Sequence, residues 1–189
     1  MALRVLQGLA IGLALMMGTG IAAGQDDTAT SVESARTALE SGVQAEQRAA
    51  IASLRALADA GNAVALRLIG IAYDEGLGVP VDRTEAASLY RRAAELDDSE
   101  AMTRLAALMI SGDGVNRNLE GARSYLVMAA NDDHVPAMLA LGAFYLGQAD
   151  GAEAIEWFDR AATLGNIDAL VQLGGIYRRG TGVPADPER

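Results

Sequence analysis

The sequence predicts an all-α fold: a right-handed superhelical solenoid of stacked antiparallel helix pairs. Three observations predict it. Ala65, Ala101 and Ala137 recur 36 residues apart and Ala169 follows 32 residues later. The same offsets link Gly70, Ala106, Gly142 and Gly174, and also Tyr73, Met109, Tyr145 and Tyr177. Within each period the apolar residues fall at helical spacing on one face, so each unit buries that face only against its neighbours.

The chain starts with an export signal. Arg4 supplies a short positive region, Val5 to Ile21 is apolar, and Ala22-Ala23-Gly24 places small residues before Gln25. Residues 1–24 are read as a signal peptide. An uncleaved anchor is the alternative, and cleavage is favoured because Gln25-Asp26-Asp27, not basic residues, follow the run. Residues 25–31 are polar and read as a disordered linker. Residues 32–62, with Val32–Glu40 and Ala45–Ala60 as helical patterns, read as a degenerate N-terminal capping pair ending at Gly61.

The first full repeat spans 63–98. Ala65, Leu68, Ile69, Ala72 and Tyr73 line one face of its first helix, Ala63 to Glu75. Gly76-Leu77-Gly78 ends that helix. Asp82 caps the second, with Glu85 three residues on, and Ala86, Leu89, Tyr90, Ala93 and Ala94 form its inward stripe. Repeat two, 99–134, uses Ala101, Leu105, Ala106 and Met109, the loop Gly112-Asp113-Gly114-Val115, the cap Asn118, and then Ala122, Tyr125, Leu126, Ala129 and Ala130. Repeat three, 135–166, has a loop four residues shorter, followed by Ala154, Trp157, Phe158, Ala161 and Ala162. Residues 167–189 form a half repeat that looks truncated: Asp186-Pro187-Glu188 announces a second helix and the chain stops at Arg189. Gly142 and Ala106 are expected where the two helices of a unit approach most closely.

These residues carry a family resemblance. The pattern Ala-x-x-x-[Leu/Ile]-Gly-x-x-Tyr-x-x-Gly-x-Gly-Val, then Asp, then Ala and a closing Ala-Ala, resembles the Sel-one-like repeat, a relative of the tetratricopeptide repeat. Ala65–Ala94 matches closely and Ala101–Ala130 well. Ala137–Ala162 lacks the Gly-x-Gly-Val loop, like a plain tetratricopeptide unit, and Ala169–Val183 matches the first half. The resemblance implies an adaptor or scaffold. A cysteine-rich branch is associated with penicillin or β-lactam binding, and a chain without Cys falls outside it.

Composition narrows the function. The 189 residues carry a net charge of −10, and all 15 basic side chains are Arg. An acidic chain is a poor match to nucleic acid. Without Cys or Lys there is no thiol nucleophile, thiolate zinc site, phosphate-loop lysine or Schiff base. His134 is the single imidazole. Asp132-Asp133-His134 resembles a ligand set, but three adjacent turn residues rarely converge on one ion. Gly76-x-Gly78, Gly112-x-Gly114 and Gly180-x-Gly182 follow helices and read as repeat punctuation, not phosphate loops. Asp74-Glu75 and Asp97-Asp98 with Glu100 read as solvated acids. No catalytic residue, metal or cofactor is expected.

The sequence therefore reads as a periplasmic or secreted scaffold binding a protein or peptide, with membrane contact only during export. An envelope enzyme accessory or hydrolase-like member, or a polysaccharide-binding module, are the alternatives. The expected concave groove comprises Arg67, Ile71, Asp74 and Glu75; Thr103, Ala107 and Ile110; Leu139, Ala143 and Leu146; and Val171, Arg178 and Arg179. It is mixed-charge at one end, apolar in the middle and basic at the other. Self-association at the C-terminal half repeat is a further expectation. Export is checked by mass spectrometry of the protein recovered from its native host: the chain should start at or near Gln25, and an intact Met1 in a cytosolic fraction would contradict it.

Overall fold

A computed structural model describes residues 27–182. The expected leader (1–24), residues 25–26 and Asp186-Pro187-Glu188 lie outside the described residues. Among those described there are nine helices and no strand. They are α1 (27–40), α2 (Gln44–Asp59), α3 (Ala63–Glu75), α4 (Arg83–Ala94), α5 (Ser99–Ser111), α6 (Leu119–Asn131), α7 (Val135–Gly147), α8 (Gly151–Thr163) and α9 (Ile167–Arg179). Each packs on the next in chain order, in antiparallel pairs α3/α4, α5/α6 and α7/α8. No described helix is long and apolar enough to cross a membrane.

The expected linker at 25–31 is corrected over residues 27–31, which are helical. Asp27 is the first residue described in this helix. Its carbonyl accepts from the Ser31 hydroxyl at 2.7 Å. Val32, Ala35 and Leu39, at helical spacing, are buried in the first core cluster with the apolar face of α2. The buried Gln47 of α2 donates to the Leu39 carbonyl at 2.9 Å, so this buried polar side chain is satisfied.

Two apolar clusters form the core and α5 serves both. Ala101, Leu105 and Leu108 join Leu54, Leu66 and Tyr90. Met102 and Ala106 join Leu126, Met138, Leu141 and Phe158. At about 1.5–3 kcal/mol for each large side chain buried, adjacent repeats are held mainly by this packing.

Inside a pair, a small residue on the first helix receives a large one from the second. A Cβ on Gly70 would lie 2.7 Å from the Tyr90 ring, and one on Gly142 2.5 Å from the ring of Phe158. Ala106 and Leu126 hold the equivalent places in repeat two, both buried in one cluster.

The turns repeat as closely as the cores. The residue before the first helix caps it in three units: Asn62, Asp98 and Asn166 accept from the amides of Ala65, Ala101 and Ala169. The residue before that cap is left-handed each time: Gly61, Asp97, Asp133 and Gly165. The acid pair Asp97-Asp98 is thus a turn residue followed by a cap, since Asp tolerates this backbone better than most side chains. Within each unit, the amide that opens the second helix (Asp82, Asn118, Asp150) donates to the carbonyl of Tyr73, Met109 or Tyr145 at 2.8–2.9 Å. One bond closes both the long and the short loop.

The second glycine of each Gly-x-Gly stacks on the beginning of the preceding unit's second helix. A Cβ on Gly78 would lie 2.7 Å from Gln47 Cβ and 2.9 Å from Arg48 N in α2. On Gly114 it would collide with the backbone of Arg83 and Thr84, and on Gly182 with that of Gly151. The glycines are packing devices between repeats, which is why they need no Lys.

Two substitutions test this account. Gly142→Leu drives a side chain into the Phe158 ring and should cost about 1–3 kcal/mol in thermal or urea unfolding; an unchanged midpoint would show the pairing wrong. His134 occupies the cap column but makes no side-chain capping bond. His134→Asn restores the cap and should stabilise the fold by about 0.5–1 kcal/mol. A lower melting temperature would mean that the His134 contact with Glu100 outweighs a cap.

Candidate functional site

The first helices α3, α5, α7 and α9 present equivalent faces, and their side chains decide what each stretch can bind. The N-terminal stretch is occupied by its own ion pairs. Arg67 Nε lies 3.0 Å from Asp98, with both side chains largely buried; such a pair is costly to break from one side. Arg104 spans two helices, donating from Nε to Glu100 Oε1 at 2.8 Å and from Nη1 to Glu75 Oε1 at 3.3 Å. The second oxygen of Glu100 lies 3.2 Å from His134 Nε2. Glu75, Arg104, Glu100 and His134 therefore form a ladder from α3 to the start of α7.

Asp74 turns toward α4, accepting from Tyr90 Oη at 3.4 Å and Arg83 Nε at 3.3 Å. Burial pushes the Tyr90 hydroxyl far above the ordinary phenol range; Arg104 opposes this and Asp74 adds to it. Burial alone would lower the Arg104 guanidinium, but Tyr90, Glu100 and Glu75 around it outweigh that and raise it. The cluster is an ion-paired joint between repeats one and two, and the cleft of about 290 Å³ beside it is walled by Arg36, Arg67, Glu75 and Arg104.

The middle stretch differs in kind. Between α5 and α7 lies a cleft of about 480 Å³, lined by Ala107 and Ile110 from one side and Ala140, Ala143 and Phe144 from the other. Small residues leave it unfilled. Ala140 stands in the column of Leu68 and Arg104, where those larger side chains are half-buried or buried. Leu119 and Gln148 line one end. That end is open because repeat three lacks the long loop: no Gly-x-Gly covers the first turn of α6 as Gly114 covers that of α4. Arg117 stands at the mouth, its Nε donating to the Ile110 carbonyl at 3.1 Å, a cation at a helix C-terminus. The arrangement can take an apolar side chain with a negative neighbour.

The structure thus brings Ala107, Ile110 and Ala143 of the expected groove into this cleft and sends the others elsewhere. Arg67, Asp74 and Glu75 are paired. Ile71, Leu139 and Leu146 are half-buried and pack on the core clusters. Thr103 donates to the Ser99 carbonyl. Val171 and Arg178 are exposed on α9, and the Arg179 guanidinium lies against Gly175. Reading along single helices missed Ala140, Phe144, Arg117 and Leu119. The signal was in the columns, where Ala140 replaces a large residue, and in the four-residue deletion. Asp132, Asp133 and His134 diverge: Asp132 accepts from the Ser99 hydroxyl at 3.0 Å, Asp133 lies 3.8 Å from Arg160, and His134 faces Glu100.

The fold and its columns match known proteins. The structure resembles the Sel1 repeat protein of Oxalobacter formigenes, with TM-score 0.67 and 29% identity, covering 84% of this chain and 64% of that one. It also resembles a protective antigen of uropathogenic Escherichia coli with an SLR fold, with TM-score 0.66 and 26% identity, covering 80% and 37%. Among curated proteins, chitin synthase regulatory factor 2 of Schizosaccharomyces pombe is 30% identical over 130 residues, 64% of this chain. The chain spans about a quarter of that relative's length, the matched share being 25%. The Sel1 repeat model matches residues 63–98, 99–134, 135–166 and 167–189. The chain belongs to the Sel1 repeat family, whose repeats serve as scaffolds for protein–protein contact.

Proposed function

We propose that this protein is a non-catalytic scaffold of the bacterial cell envelope, exported by its leader, and that it holds a peptide segment of a partner in the α5/α7 cleft. The observation that carries the reading is the cleft itself. It is apolar, lined by small side chains, and open where the repeat loop is shortened, with Arg117 at its mouth. The occupant is an extended or helical segment with an apolar anchor and an acidic flank. His134 supports the non-catalytic reading, because it sits at a repeat junction against Glu100. The envelope location rests on the Arg4 start, the apolar run and the small residues before Gln25. The scaffold reading extends to contact between copies through the C-terminal half repeat, on a face separate from the cleft.

A second reading is favoured by one observation. The fission-yeast relative is named as a regulatory factor of chitin synthase. An accessory to an envelope enzyme that handles polysaccharide fits the same scaffold, with the enzyme supplying the peptide segment.

Selection of peptides from a display library on the immobilised protein tests the cleft. Selected peptides should share an apolar anchor followed by acidic residues. Ala143→Arg, a substitution at an exposed position, should weaken their binding by about tenfold or more, or roughly 1.4 kcal/mol, while the helical circular dichroism and melting temperature hold. Binding that survives Ala143→Arg would move the site away from this cleft.

A further inference from the structure

By position α9 is a fourth copy of α3, α5 and α7, and it is covered differently. Leu170 stands in the column of Leu66, Met102 and Met138, which are 1%, 1% and 0% exposed; Leu170 is 57% exposed. Ile167 and Val171 are 73% and 67% exposed. With Gly174 and Arg178 these residues follow helical spacing on a single stripe. A Cβ on Gly174 would meet nothing within 4 Å, whereas Gly70 and Gly142 hold rings. The stripe is a knob, Leu170, one turn before a notch, Gly174. Beside it the first turn carries Asp168 and the last turn Arg178 and Arg179.

Such a helix is complementary to itself run in the opposite direction. We infer that two copies of this protein associate through α9, antiparallel about a two-fold axis, with Leu170 of each in the Gly174 notch of the other and Asp168 against Arg178 and Arg179. This rests on the self-association part of the proposed function and gives it a geometry. Tyr90 on Gly70 and Phe158 on Gly142 show the same kind of fit inside one chain, a large side chain against a glycine on the paired helix. Charge supports the direction: antiparallel packing brings acid to arginine at both ends, whereas parallel packing sets like against like. Association about a two-fold axis closes on itself and does not propagate into fibres. One helix face from each copy is smaller than the roughly 800 Å² per partner of a standard interface, so the dimer forms at micromolar concentration.

Sedimentation velocity of the protein from roughly 1 µM to roughly 200 µM tests this. The mass should rise to that of a dimer. Leu170→Asp, at an exposed position, should weaken association by about tenfold or more with the circular dichroism unchanged. Asp168→Arg and the double variant Arg178→Asp with Arg179→Asp should each lose self-association, and an equimolar mixture of the two should regain it as a heterodimer. A monomer at every concentration overturns self-association altogether and leaves the stripe to a helix of another protein. A dimer that ignores Leu170→Asp and shows no charge rescue overturns the α9 pairing while leaving self-association through some other face.

Discussion

The contact on which the structure depends is the one inside each helix pair, where a small side chain on the first helix admits a large one from the second. Gly70 with Tyr90, Gly142 with Phe158 and Ala106 with Leu126 are three solutions to one volume constraint. Where the receiving residue is glycine the entering side chain is a ring; where it is alanine the entering side chain is smaller. The sum is kept, as close packing requires. Because this contact sets how near the two helices lie, it also sets the spacing at which the next pair can stack. A chain with only 4% aromatic residues reaches a dry core this way, with alanines bringing backbones together and a few large side chains filling the remainder.

Stacking adds a second constraint, carried by the turns. Each Gly-x-Gly loop closes its own unit through the Tyr73-type carbonyl and rests its second glycine on the preceding unit. Loop length thus decides how much of the neighbour is covered. The first turn of α6 is the exception, since the loop that should lie over it is four residues short. The bond from Asp150 to the Tyr145 carbonyl survives, so the pair α7/α8 still closes, but Leu119 is left as a wall of the α5/α7 cleft. Deletion in one unit becomes an opening between two.

The helices, their pairing and the small-residue column were legible in the sequence, because a fixed period makes each unit a check on the others. The first helix was legible only from Val32 onward. Residues 27–31 look like linker by composition, and their helicity comes from being continuous with a segment docked on α2. The groove was legible in part for a related reason. Helical spacing finds which side chains leave the core, and it found Ala107, Ile110 and Ala143. It cannot find partners 30 residues away, so Arg67, which pairs with Asp98, and Glu75, which pairs with Arg104, looked free. His134 is the opposite case: a residue that stands out by being single proves to be an imperfect member of a capping column.

A repeat protein presents the same surface many times over, and most of that surface is used by the next repeat. Where the periodicity is broken, part of that surface is left uncovered. Repeats one and two follow the pattern closely, and Glu75, Arg104, Glu100 and His134 are engaged with one another across their junctions. Repeat three departs by four residues and leaves an apolar cleft with a cation at its mouth. The half repeat keeps Leu170 and Gly174 of the pattern; Leu170 is exposed, and a Cβ on Gly174 would meet nothing within 4 Å. The energetic argument is the same in both places. A position that costs nothing in the other units because it is covered there carries, when uncovered, the roughly 25 cal/mol per Å² of apolar area that covering it would return. The α5/α7 cleft and the stripe on α9 are uncovered portions of the protein's own folding interface, and that return is available at both.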